Sequence, residues 1–237
     1  MLLHAHAAIA MAQKGAPLIH GQSGGVPDLS PETLARFAWY SSVLNSSSEL
    51  DPADSAKFWA MYFDIGETRE SPCQVIGMEC SWYCGGGPDS IWASSVRMPT
   101  AERSFDAWHA QNIDYCTAWS EGAPGPGIGE SLSYRFANDS PRLHTVMVSN
   151  GMVTSESDWR ACNRVKRLRI DENGKAVAIL ALEDTMADQA FKLPRLFGRR
   201  ADGRPMVLTF TILEVYPGEQ HNDTVITEIW FDGTDVH

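Results

Sequence analysis

A chain of 237 residues with 43% apolar content is long enough for one large domain, or a domain of about 150 residues with an appendage, and carries material for a true core. Its net charge of −11 argues against sequence-independent binding to nucleic acid or anionic membranes, and no run approaches the ~18 consecutive apolar residues of a membrane-spanning helix. The acidity is uneven. Residues 28–90 hold ten Asp and Glu against three basic residues, and residues 91–237 hold twenty against fifteen, which points to two regions of different kind.

Residues 1–29 read as leader and linker. The Ala-rich start ending in Ala10-Met11-Ala12 resembles the tail of a secretory signal, although no basic residue precedes Leu2 and His4 and His6 interrupt the apolar stretch. These histidines and His20 read as unstructured tail, and Lys14–Pro27, rich in Gly, Ser and Pro, reads as linker.

Residues 30–89 read as a helical, cysteine-containing region. Ser30-Pro31 and Asp51-Pro52 each place an N-cap residue before a proline suited to the first helical position, with Asp54 at the capping-box site of the second. Leu34, Phe37, Ala38 and Leu44, then Phe58, Met61 and Tyr62, recur at helical spacing, as expected of a small cap. Five cysteines are many for a cytosolic domain of this size. Cys73, Cys80 and Cys84 lie close in sequence, and a disulfide among them is favoured over zinc because no nearby His completes a tetrahedral set. Cys116 and Cys162 are either a second bridge or small buried apolar residues. Cysteine usage and the leader together place the chain outside the cytosol: secreted, periplasmic or at the cell surface.

From about residue 90 the pattern changes to strands. Ser131–Phe136, Leu143–Val148, Arg164–Ile170, Ala176–Leu182, Val207–Tyr216 and Val225–Phe231 are rich in β-branched and aromatic residues and are separated by turn signals, of which Asn173-Gly174 is the strongest hairpin marker. No strand–helix alternation occurs, so the expected fold is mainly β, an antiparallel jelly-roll sandwich over residues 90–237 with a small helical N-terminal cap.

Ahead of the first of these strands lies Asn112–Glu130, NIDYCTAWSEGAPGPGIGE. Asn112, Asp114 and Thr117 offer hard oxygen ligands at the spacing with which a tight loop wraps calcium, and Gly122, Gly125, Gly127 and Gly129 allow positive φ. Ala93-Ser94-Ser95, Phe105 and the run Asn112 to Trp119 resemble the opening of discoidin (F5/8 type C) domains. Gly127-Ile128-Gly129-Glu130, Ser149-Asn150-Gly151, Asn163-Arg164-Val165-Lys166 and Val215-Tyr216-Pro217-Gly218 narrow the resemblance to the discoidin-like, glycan-binding and translocation domain attached to streptococcal NAD glycohydrolase and its relatives in bacterial secreted proteins.

That resemblance, over residues ~90–237, implies an eight-stranded galactose-binding-like jelly roll whose loops at one end bind ligand, often a sugar, with a structural calcium in many members. The family's metal loop falls on His109 through its backbone, Asn112, Asp114, Thr117 and Glu228. Asn112 stands where the family has Asp and Ile113 where it has Gly, so the loop either holds calcium or is held by side-chain hydrogen bonds. Trp108, Glu121, Asn150, Trp159 and Arg164 are the expected carbohydrate contacts. Arg160, Arg164, Lys166, Arg167 and Arg169 form a basic run that reads either as a solvated sheet face or as a site for an anionic glycan. No nucleophile-elbow, zincin or phosphate-cradling motif is present. The expected function is therefore a secreted, non-catalytic glycan-binding module. The alternatives are an enzyme or toxin-accessory protein acting through residues 30–89, or a protein-binding surface module.

Overall fold

The computed structural model describes residues 15–46, 49–65, 71–75 and 82–234. Among them eleven strands form one hydrogen-bonded network. They are β1 (Leu18–His20), β2 (Gln22–Ser23), β3 (Ser90–Ala93), β4 (Trp119–Ser120), β5 (Ser131–Phe136), β6 (Leu143–Asn150), β7 (Asn163–Glu172), β8 (Lys175–Ala181), β9 (Gln189–Phe197), β10 (Met206–Tyr216) and β11 (Thr224–Gly233). The order is β2-β9-β6-β11-β7-β10-β5-β3, with β4 beside β11 and β8 between β7 and β1. The network folds over where β11 runs parallel to β7 for two residues, Thr224 opposite Asn163 and Val225 opposite Arg164. Phe231 of β11 then packs across the fold onto Tyr134 and Phe136 of β5 and Phe210 of β10, with ring centroids 5.1–6.2 Å apart. These aromatic contacts join two layers of a sandwich whose core draws on β5 through β11.

The fold is thus mainly β, as expected, with two departures. Parallel pairing occurs at β11–β7 and at β1–β8. Residues 18–23, expected to be linker, are strands of the sheet: β1 lies along β8, and β2 pairs antiparallel with β9. Gly21, between them, passes so close to the Phe191 ring that a Cβ would come within 2.8 Å of it.

Two helices follow, α1 (Pro31–Leu44) and α2 (Pro52–Ile65). Ser30 caps α1 by accepting the Thr33 N–H at 3.3 Å, and Asp51 accepts the Ala53 and Asp54 N–H groups at 2.9 Å. The helices meet through stacked Tyr40 and Phe58 rings, 5.2 Å apart. Residues 71–75 then lie against the sandwich. A third helix, α3 (Glu156–Ala161), sits between β6 and β7, capped by Ser155.

Candidate functional site

At one end of the sandwich, segment 71–75 is laced to residues 113–115. Tyr115 N–H donates to the Cys73 carbonyl at 2.7 Å, and Val75 N–H to the Ile113 carbonyl at 3.2 Å. A disulfide joins Cys73 to Cys116, with Cα atoms 5.4 Å apart. The bridge expected among Cys73, Cys80 and Cys84 is therefore corrected. The partner of Cys73 is 43 residues away, brought near by this backbone ladder. Cys84 is a free exposed thiol and Cys162 a free buried one; Cys80 lies outside the described residues.

Ile113 adopts φ +62°, the left-handed region that β-branched side chains rarely enter. It is held there from both sides, by Val75 and by Glu228, whose Oε1 accepts the Asp114 N–H at 2.8 Å. This turn brings together the oxygens expected of the metal loop. Thr117 Oγ1 lies 3.3 Å from the Asp114 carbonyl. The Asn112 amide satisfies its neighbours with nitrogen turned inward, donating to Glu228 Oε1 at 2.9 Å, Thr117 Oγ1 at 3.0 Å and the His109 carbonyl at 3.3 Å. His109 O, Asn112, Thr117 and Glu228 thus converge from positions up to 119 residues apart in the sequence. Asp114 departs from expectation: its carboxylate turns away, accepting the Cys116 N–H at 2.7 Å, and its backbone faces the loop. Burial, above all else, pushes the Glu228 carboxyl well above the usual carboxylate range, and its Oε2 is buried without a partner.

The five expected carbohydrate contacts divide sharply. Glu121 is fully buried, its carboxylate accepting the N–H groups of Ala123 at 2.8 Å and Thr224 at 3.2 Å. Asn150 is also fully buried; it donates to the Val165 carbonyl at 2.7 Å and accepts the Val165 N–H at 2.8 Å. Arg164 is buried in a two-pronged pair with Asp184, at 2.9 and 3.1 Å, and donates to the Cys162 and Pro217 carbonyls. Its guanidinium stacks 4.6 Å over the buried Trp159 ring, whose Nε1 donates to the Asn150 carbonyl. These four residues hold the loops to the sheet, each polar group meeting the backbone of another segment. Trp108 differs, at 57% exposure.

The basic run is neutralised. Arg160 pairs with Glu156, Arg164 with Asp184, Lys166 and Arg167 with Glu214, and Arg169 with Asp171. An anionic glycan would have to displace these carboxylates, so the solvated-face reading holds for Arg160, Lys166 and Arg167, while Arg164 is buried.

A pocket of about 220 Å³ opens beside the loop, its wall formed by Glu102, Arg103, Ser104, His109, Cys116 and Thr117 over Phe105 and Met152. Ser104 Oγ lies 2.7 Å from His109 Nε2, which fixes the ring. Trp108 precedes His109 on the 3₁₀ turn Ala107–Ala110. Of these lining residues only His109 and Thr117 were expected at a binding site, both as metal ligands; Cys116 stood out as a cysteine and Phe105 as part of the family motif. Glu102, Arg103 and Ser104 belong to no motif, and only the fold sets them beside His109.

Residues 82–232 match the family described as the NAD glycohydrolase translocation F5/8 type C domain. The chain belongs to this family. Among solved structures, this F5/8 type C domain is similar to the Streptococcus pyogenes NAD+-glycohydrolase translocation domain, at 27% identity over 49% of this chain and 98% of that one, with a TM-score of 0.31. It is also similar to the CBM32-1 and CBM32-2 domains of Clostridium perfringens ZmpB, at 16% identity, a TM-score of 0.46 and 62% coverage, and it spans 35% of that chain. A third likeness is to CBM32-1 from a family 31 glycoside hydrolase of Clostridium perfringens, at 10% identity and a TM-score of 0.40, covering 62% of this chain and 96% of that one. No curated protein matches the chain. The motifs that mark the F5/8 type C domain have structural causes here. Ser94 and Ser95 both donate to Glu130 at 2.5 Å, Ser95 accepts the Gly122 N–H, and the Ser95 carbonyl accepts Trp119 Nε1.

Proposed function

We propose that this F5/8 type C domain is a non-catalytic carbohydrate-binding module of a secreted or surface protein, and that its ligand sits in the pocket lined by Glu102, Arg103 and His109. The observation that carries the reading is a cleft lined by a carboxylate, a guanidinium, a hydroxyl and an imidazole, with the broadly exposed Trp108 one residue before the lining His109 in the chain. An aromatic face takes the apolar side of a sugar ring, and convergent polar groups take its hydroxyls. At about 220 Å³ the cleft is small beside the ~300–1,000 Å³ of drug-sized sites, which suits one terminal sugar ring. The disulfide supports an oxidising location, and no described helix is long and apolar enough to cross a membrane.

The oxygens of His109, Thr117 and Glu228 converge on the Asn112 amide, and with that amide turned over to present its oxygen instead of its nitrogen the four residues fit a hard cation such as calcium. Three of the ligands present oxygen already, and the unpartnered Glu228 Oε2 is an orphan that a cation would satisfy. When bound, calcium would supply the charge that pins the loop. With one carboxylate in the set, affinity belongs at the weak end of the range. Without it, the Asn112 amide does the same work as a hydrogen-bond donor.

A glycan array probed with the intact chain tests the carbohydrate reading. A subset of terminal sugars should be retained, and Trp108→Ala and Arg103→Ala should each abolish retention; Trp108→Ala should leave the melting temperature unchanged, and Arg103→Ala should lower it by no more than its exposed pair with Asp158 contributes, about 1 kcal/mol or less. Binding that survives both substitutions, or no binding above background, overturns it.

A further inference from the structure

We propose that the Cys73–Cys116 bridge conceals a second, soft metal site that opens on reduction: the two thiolates and the Asp114 carboxylate form a three-ligand set for zinc. Both sulfurs and a carboxylate oxygen of Asp114 lie within 4.8 Å of one another. Asp114 reaches them because its backbone is committed to the oxygen loop on the other side. Its N–H goes to Glu228 and its carbonyl to Thr117, which turns the side chain toward Cys116, where Oδ1 takes the backbone N–H and leaves Oδ2 open. One residue therefore separates a hard oxygen cluster from a sulfur-rich one.

The spacing suits a tetrahedral ion. Zn–S bonds of about 2.3 Å place two sulfurs ~3.8 Å apart, a separation reached from Cα atoms 5.4 Å apart by side-chain rotation. The ladder between 71–75 and 113–115 holds the two segments together without the covalent bond. Cys116 lines the pocket beside the loop, which is the route offered to a small thiol and a metal ion. Thiolate pairs with one harder ligand select zinc over calcium, so this site and the oxygen loop do not compete for one ion.

The chemistry balances as follows. A dithiol reductant delivers two electrons and two protons, becoming its own disulfide while Cys73 and Cys116 become thiols. Zinc then displaces both thiol protons to solvent and binds without change of oxidation state. Oxidation reverses the sequence and expels the ion. The chain would thus carry a covalent staple in an oxidising compartment and a metal staple in a reducing one, the same two segments joined in each.

The test uses the full chain, reduced with dithiothreitol, freed of it by anaerobic gel filtration and titrated with Co²⁺. The reduced chain should bind one equivalent with a near-ultraviolet thiolate-to-cobalt charge-transfer band, displaced by Zn²⁺, while the oxidised chain shows none. Cys116→Ser should remove the band. Because the parent is also without its disulfide in this state, circular dichroism of both proteins separates lost ligation from lost folding. Asp114→Asn should weaken binding at least tenfold with the band retained, and Cys80→Ser/Cys84→Ser should leave it intact. A reduced chain that stays folded yet shows no band overturns the proposal, as does a band that survives Cys116→Ser or disappears with Cys80→Ser/Cys84→Ser.

Discussion

Gly151→Ala probes whether the buried corner at the end of β6 holds the loops in place. Gly151 has φ +87°, and a Cβ there would lie 2.7 Å from Arg164 Cγ and Trp159 Cδ1. Two costs add. A non-glycine residue in the left-handed region costs about 1–2 kcal/mol, partly offset by the ~0.4–1 kcal/mol that replacing glycine gains by restricting the unfolded chain. Crowding adds about 1–3 kcal/mol, as overpacking does, because the Trp159 ring that must move is tied to the Asn150 carbonyl at 2.8 Å and to Arg164 by stacking. The expected loss is about 3 kcal/mol, which for a chain of this size lowers the melting temperature by roughly 10 °C. Gly174→Ala is the control. Its φ is +80°, but nothing lies within 4 Å of its Cβ position, so only the conformational part, about 1 kcal/mol, applies. Calorimetry of both variants reads the difference. If the two melt within about 1 °C of each other, Trp159 and Arg164 are not packed as described and the frame assigned to Asn150 and Arg164 fails with them.

Other outcomes follow from the same geometry. Removing the disulfide by Cys73→Ser/Cys116→Ser should cost about 4 kcal/mol in the chain-entropy account of a 43-residue separation; a loss under ~1 kcal/mol by denaturant titration would mean the reduced chain is already constrained there. Calcium at a hundred times its dissociation constant should stabilise the chain by about 2.7 kcal/mol, and Glu228→Gln should abolish that increment; a melting temperature indifferent to chelator removes the cation from the loop. Stability should also fall as pH rises. Burial raises Glu228, Asp188 and Glu121, so the folded chain keeps protons that the unfolded chain releases near pH ~4. In chelator, melting should therefore be higher at pH 5.5 than at pH 8, reversing only below about pH 4, where carboxylates such as Asp202, held to about 2 by its hydrogen bond with Arg200, lose their ionised form. A flat profile would show that burial does not keep the Glu228 carboxyl protonated across this range.

Much of the sandwich was legible because its strands alternate and its turns carry glycine. All six expected strands are present, Ser131–Phe136 with the same bounds. β9 was hidden by Pro194, a residue that does not belong in a regular ladder. The structure accommodates it where pairing with β6 slips from Lys192 opposite Thr145 to Phe197 opposite Leu143. β1, β2 and β4 are two or three residues long and carry too little pattern to register. For the site, the residue types were right and the distances were not readable. Glu121, Asn150 and Arg164 look like surface polar groups because sequence does not show which backbone groups the folded loops leave unpaired; each was recruited to satisfy them. The Cys73–Cys116 pair was missed for the opposite reason: proximity in the chain favoured Cys80 and Cys84, whereas a backbone ladder decided the matter.

The short strands β1 and β2 set where this molecule can be cut. Residues 18–23 run along β8 in one layer and then along β9 in the other, crossing at Gly21 over the Phe191 ring. They cover sheet borders in both layers that would otherwise present unpaired N–H and C=O groups to other chains. A fragment trimmed to residues 82–232 would leave both borders bare and Cys116 without Cys73. The family motif and the folding unit therefore have different beginnings, and a fragment intended to keep both borders covered has to start upstream of Leu18.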